Sequence, residues 1–197
     1  IVRFSYAGQA RSEGAEIDFN WQPMPNWNPG LALSGGASYI DAEYTDYKDG
    51  AGFDDDTGLY FGPDNLTGLP LQDSRDFTGN AVVRTPKFSS SASLNQFLDF
   101  GDYGAFEFAV DYAYKDEYNT TPQASPFFIQ DQYELWNARA TWFYDPWGIQ
   151  VAAYVDNIKG KEYFNGILQQ DFGRSVTLAP PKFYGLRLKW DFGMAFE

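Results

Sequence analysis

Apolar and polar side chains alternate position by position through most of this chain, in segments separated by turn-forming residues. The pattern is clearest in KFYGLRLKWDFGMAF, where Tyr184, Leu186, Leu188, Trp190, Phe192, Met194 and Phe196 share one parity. Gly185, Arg187, Lys189 and Asp191 occupy the other. Successive side chains of a strand point to opposite sides, so this segment has one greasy face and one charged face. The same rule places Phe106, Phe108, Val110, Tyr112 and Tyr114 opposite Glu107, Asp111 and Lys115. It sets Trp136, Ala138, Ala140, Trp142 and Tyr144 against Asn137, Arg139 and Thr141, and Ile149, Val151, Ala153 and Val155 against Gln150, Tyr154 and Asp156. Near the start, Ile17, Phe19 and Trp21 oppose Glu16, Asp18 and Asn20. LALSGGASYIDAEY and KFSSSASLNQFL alternate less sharply, with small residues on the second face. About seven strands are predicted.

Alternation alone also fits a secreted β-sandwich, whose sheets meet water on one face. Two features favour a barrel that crosses a membrane. The apolar face carries aromatics near its ends (Tyr184 and Trp190, Trp136 and Tyr144, Trp21), as the girdles of a lipid-facing band do. The connections also alternate in length. Short turns bearing Pro or Gly are expected at Gln22–Gly30, Asp99–Gly104 and Asp145–Gly148, and long polar loops at 48–81, 119–131 and 161–181. Short turns on one rim and long loops on the other are the transmembrane barrel pattern, with the short turns in the periplasm. An odd strand count then predicts an arc of a larger barrel, because single-chain bacterial barrels have even counts. If Ile1–Tyr6 formed a separate strand, a small closed barrel acting as anchor or adhesin would be the alternative.

Composition narrows the chemistry. Among 197 residues there is no Cys and no His, which removes thiolate metal sites, His-based zinc sites and Ser/His/Asp hydrolysis from this portion. A net charge of −13 argues against nucleic acid as a partner. The mean hydropathy of −0.45 does not argue against a membrane barrel, whose inward positions are polar. No enzyme is expected.

Four segments, in order, resemble the C-terminal end of TonB-dependent outer-membrane receptors. AGQARSEGAEIDFNWQPMP is similar to that family's Gly-x-x-x-x-x-Gly-x-Glu strand and Pro-containing periplasmic turn. LALSGGASYIDAEYTDY resembles the next strand, YELWNARATW with VDNIKGKEYF the pair left by an Asn-led segment, and APPKFYGLRLKWDF the closing strand. The resemblance runs over essentially the whole chain. It implies that residues 1–197 are the C-terminal portion of a barrel of about 22 strands with a plugged lumen, the plug domain lying outside this chain. It also implies active import of a siderophore, cobalamin, haem or glycan in the outer membrane of a Gram-negative bacterium. The partners would be outer-membrane lipid, the rest of the barrel and its plug, and, through the plug, a TonB-type energy-coupling protein. The family usually stops on a terminal aromatic; here Phe192 is followed by GMAFE, and the alternation predicts strand through Met194 and Phe196.

Candidate site residues sit on the loops and the inner face. Phe53, Tyr60 and Phe61 in the first long loop, and Phe127 and Phe128 in the second, are candidate contacts for a small-molecule or glycan ligand, since rigid scaffolds present binding residues on loops. Packing between loops is the plainer role for the same aromatics. Asp54, Asp55 and Asp56, with Asp64 nearby, offer oxygens for calcium, but their spacing matches no EF-hand and a solvated acidic surface loop is the favoured reading. No other cofactor is expected. Glu107, Asp111, Arg139, Arg187 and Lys189 are expected to line the lumen.

Overall fold

The computed structural model of the chain describes residues 8–62, 74–170 and 173–192. Strand β1 (Gln9–Trp21) leads through a short turn to β2 (Leu31–Asp46). A long connection holding β3 (Gly52–Phe53) and β4 (Tyr60–Phe61) then reaches β5 (Phe88–Asp99). A 3-10 turn at Gly101–Tyr103 joins β5 to β6 (Ala105–Lys115). The second long connection carries β7 (Tyr118–Asn119), a 3-10 turn at Pro126–Phe128, and β8 (Ile129–Gln130). After β9 (Tyr133–Tyr144), a 3-10 turn at Asp145–Trp147 enters β10 (Ile149–Asp156). The third long connection holds β11 (Phe164–Gln170) and β12 (Gly173–Leu178), and β13 (Phe183–Trp190) closes the order.

The seven long strands form one antiparallel sheet in the order β1-β2-β5-β6-β9-β10-β13, each beside its sequence neighbours. All seven expected strands are therefore present, in a single sheet and not the two stacked sheets of a sandwich. Among the described residues β1 and β13 are edges that do not pair with each other. The first strand is longer than its alternation suggests, beginning at Gln9; Ile1–Tyr6, Met194 and Phe196 lie outside the described residues. The long connections are also more ordered than expected, since each contains a two-stranded hairpin.

Register explains the shape. One unbroken row of partners runs Trp21, Leu33, Leu94, Val110, Ala138, Val155, Tyr184. It starts at the last residue of β1 and ends near the beginning of β13. The row thus climbs from the short-turn end of the first strand to the first residues of the last. Such stagger is what closing a sheet into a barrel requires, because shear and strand tilt are linked. Every member of the row is apolar or aromatic, and among the described residues no second layer covers this face: Leu186 is 80% exposed and Leu188 68%.

Short turns have local causes. At the β5–β6 turn Gly104 has φ +87°, and a Cβ there would come within 2.2 Å of the Phe143 carbonyl oxygen. Only glycine tolerates both the left-handed backbone and the approach of the neighbouring strand.

Candidate functional site

Among the described residues the buried aromatic cluster lies where the first long connection meets the top of β2. Tyr44, at the top of β2, packs edge-on against Tyr47 at 5.1 Å, and Tyr47 against Phe77 at 5.3 Å. Phe77 meets Phe61 at 6.2 Å, and Phe61 is fully buried. Edge-to-face geometry suits the aromatic quadrupole and adds to the burial of the rings. Arg75 lies over the Phe61 ring and pairs with Asp54. The β3–β4 hairpin is held to the base of its loop by these contacts.

Asp54 organises the tip of that hairpin. Its Oδ1 accepts from the Thr57 amide (2.9 Å), the Thr57 hydroxyl (2.9 Å) and the Asp56 amide (3.2 Å). The Arg75 guanidinium, and after it the Thr57 donors, hold the Asp54 carboxyl well below the usual carboxylate range. Asp55 turns the other way and accepts from the Ser125 hydroxyl of the second connection at 2.6 Å. Asp56 is exposed. The three carboxylates therefore serve different partners, and among the described residues no group of three or more His, Cys, Asp or Glu side chains converges as metal ligands. The fourth carboxylate of the expected calcium site, Asp64, lies outside the described residues.

The loop aromatics divide by burial. Phe61 and Phe128 are packed inward, at 0% and 7% exposure, as the plainer role of packing between loops would have them. Phe53 and Tyr60 are half-buried and stack edge-on at 5.5 Å. Phe127 is exposed, while its backbone carbonyl accepts from Arg174 of β12 at 2.9 Å.

Several residues that alternation does not single out tie the connections together. Gln123 is one, and Ser125, 2% exposed, is another. Gln130 accepts from the Phe164 amide at 2.8 Å, joining the second connection to the third. Tyr163 stacks on Tyr133 at the top of β9, with ring centroids 4.5 Å apart. Asn157 has φ 51°, and its Nδ2 donates to the Lys161 carbonyl at 2.8 Å and the Pro180 carbonyl at 3.5 Å. One side chain thus spans both ends of the third connection. A sequence signal for it exists: an Asn just past a strand, followed by Gly160, is turn chemistry.

On the sheet, Glu107, Asp111, Arg139, Arg187 and Lys189 all lie on the face opposite the Trp21–Tyr184 row, through pairs such as Glu107 with Thr141 and Ala152 with Arg187. Asp111 accepts from the Ser93 hydroxyl across the strand at 2.6 Å. One row across this face is polar throughout, running Asn20, Ser34, Ser93, Asp111 and Asn137.

Comparison with known proteins gives concordant matches. The family model described as TonB dependent receptor-like, beta-barrel matches residues 2–158. No curated protein matches the chain. Among solved structures, the ferric yersiniabactin uptake receptor FyuA from Yersinia pestis superposes with a TM-score of 0.69 at 18% identity, over 94% of this chain and 24% of that one. The siderophore receptor PiuA from Acinetobacter baumannii gives 0.65 at 15% identity, over 91% of this chain and 21% of that one. The ferric citrate transporter FecA in its unliganded form gives 0.61 at 14% identity, over 91% and 24%. The chain spans about a quarter of the length of these solved proteins.

Proposed function

The chain belongs to the TonB-dependent receptor-like β-barrel family, and from that premise we propose that it forms part of the wall and outer mouth of a receptor that actively imports a scarce nutrient. Receptors of this family reside in the outer membrane of Gram-negative bacteria, and they are transporters and not enzymes. The observation that carries the proposal for this chain is the staggered sheet with one bare apolar face and one polar face. The apolar face meets lipid, and the face bearing Glu107, Asp111, Arg139, Arg187 and Lys189 meets the lumen and the plug domain that fills it.

The long connections then lie outside the cell, where they present Phe53, Tyr60 and Phe127 to the incoming ligand. Ferric complexes are the favoured class, because the similar solved proteins are named for ferric yersiniabactin, siderophores and ferric citrate. Cobalamin, haem and glycans are the other classes such receptors serve. Energy reaches the barrel from a TonB-type coupling protein through the plug.

The test expresses the full-length receptor and follows uptake of radioiron-loaded siderophores, ferric citrate, haem and cobalamin, with and without the coupling protein. Saturable uptake of one of these that disappears with the coupling protein is expected. Uptake that continues unchanged without it would count against an energised importer.

A further inference from the structure

Gln123 touches all three long connections with one side chain. It sits in the second connection, between β7 and β8. Its Nε2 donates to the Phe53 carbonyl at 3.2 Å and to Asp55 Oδ1 at 3.3 Å, both in the first connection. Its Oε1 accepts from Gln169 Nε2 of β11, in the third connection, at 3.3 Å. A primary amide can do this because it offers donors and an acceptor at opposite corners of one plane. The first connection is shaped to receive it: a Cβ at Gly52 would stand 2.2 Å from Gln123 Oε1. Two neighbouring contacts reinforce the junction, Ser125 to Asp55 at 2.6 Å and Arg174 to the Phe127 carbonyl at 2.9 Å.

We propose that Gln123 is a positioning residue that locks the tips of the three long connections into one body, so that displacing any one displaces all three. The inference rests on the reading of these connections as the outer mouth only for its place in the cell. The coupling itself is a property of the chain whatever the receptor carries. Contact of a ligand with Phe53 or Tyr60 would be passed to the second and third connections through this amide.

The hub has separable halves, which gives a sharp test. In Gln123→Ala both halves are lost. In Gln123→Glu the carboxylate still accepts from Gln169 but cannot donate, and it faces Asp55 with like charge. The measurement is pulsed dipolar spectroscopy on the full-length receptor in outer-membrane vesicles. Spin labels on L59C, E117C and S175C report the first, second and third connections in pairs, in a receptor free of other cysteines. Heat-modifiable gel mobility checks that each variant has a folded barrel. For Gln123→Ala, both the 59–117 and the 117–175 distance distributions are expected to broaden. For Gln123→Glu only the 59–117 distribution is expected to broaden. Unchanged distributions in both variants would overturn the proposal, as would equal broadening of both pairs in Gln123→Glu. Neither result bears on whether the receptor imports its ligand.

Discussion

The guanidinium of Arg75 stands 4.1 Å above the centroid of the Phe61 ring. Phe61 is the largest fully buried ring of the loop core, so Arg75 covers it while pairing with Asp54. A partly exposed cation–π contact is worth about 0.5–1 kcal/mol. Arg75→Ala is expected to loosen the β3–β4 hairpin by about that amount, seen as faster amide exchange at Thr57. Arg75→Lys should recover only part of it, because an ammonium lacks the flat face that stacks on a ring. Wild-type exchange in Arg75→Lys would show that charge alone matters here.

Acid should release the same hairpin. The Asp54 pKa is depressed in the folded loop, so the unfolded loop binds more protons and folding is favoured as pH rises. The contribution is complete above the ordinary aspartate value, about 3.9, and is lost as pH falls below it toward the folded value. Asp76, held down by Thr78, acts in the same direction. Protection of the Thr57 and Asp56 amides, corrected for intrinsic exchange, is expected to be level through neutral pH and to fall in strong acid. Asp54→Asn should have low protection throughout and no acid limb of its own.

The two faces of β13 should respond in opposite ways to charge. Leu186 and Arg187 are adjacent in sequence and point to opposite sides of the sheet. Leu186→Arg places a charge on the face assigned to lipid and should cost about 2–4 kcal/mol if it lies near the bilayer midplane. Arg187→Leu should change barrel stability by far less. Urea unfolding of the full-length receptor in vesicles measures both, and similar costs would undo the assignment of faces.

Asn157 should anchor the third connection. It is 5% exposed and holds the Lys161 and Pro180 carbonyls. Removing it deletes these hydrogen bonds, each worth about 0.5–1.5 kcal/mol. Asn157→Gly keeps the positive φ and loses the bonds, so it should be nearly as damaging as Asn157→Ala. If glycine restores wild-type protection in β11 and β12, backbone conformation and not the amide is the anchor.

The sheet was legible because period-two alternation survives wherever one face is greasy and the other polar. Trp136, Ala138 and Ala140 announce β9 without help from any other part of the chain. The hairpin β11–β12 escaped the same reading because its apolar residues do not alternate: Ile167 and Leu168 are adjacent, and a register shift separates the Phe164–Leu178 pair from Ile167–Val176. Gln169 and Arg174 tie it to the second connection through polar contacts. Burial in the loops was not legible either. Phe61 and Phe127 look alike in sequence, yet one is enclosed by Phe77 and Arg75 and the other faces solvent, a difference made by residues outside its own hairpin. Gln123 carried no pattern at all. Its importance comes from three partners in two other connections.

Because each long strand pairs only with the strands before and after it in sequence, the wall can be zipped up one hairpin at a time. Among the described residues no pairing of the long strands skips over another, and such neighbour pairing keeps the entropic cost of each closure small. The same adjacency makes a hairpin the natural unit of inheritance. Two strands and their outer connection can be duplicated, deleted or exchanged while the remaining neighbours keep their pairing, so such a wall can change circumference in evolution without being redesigned.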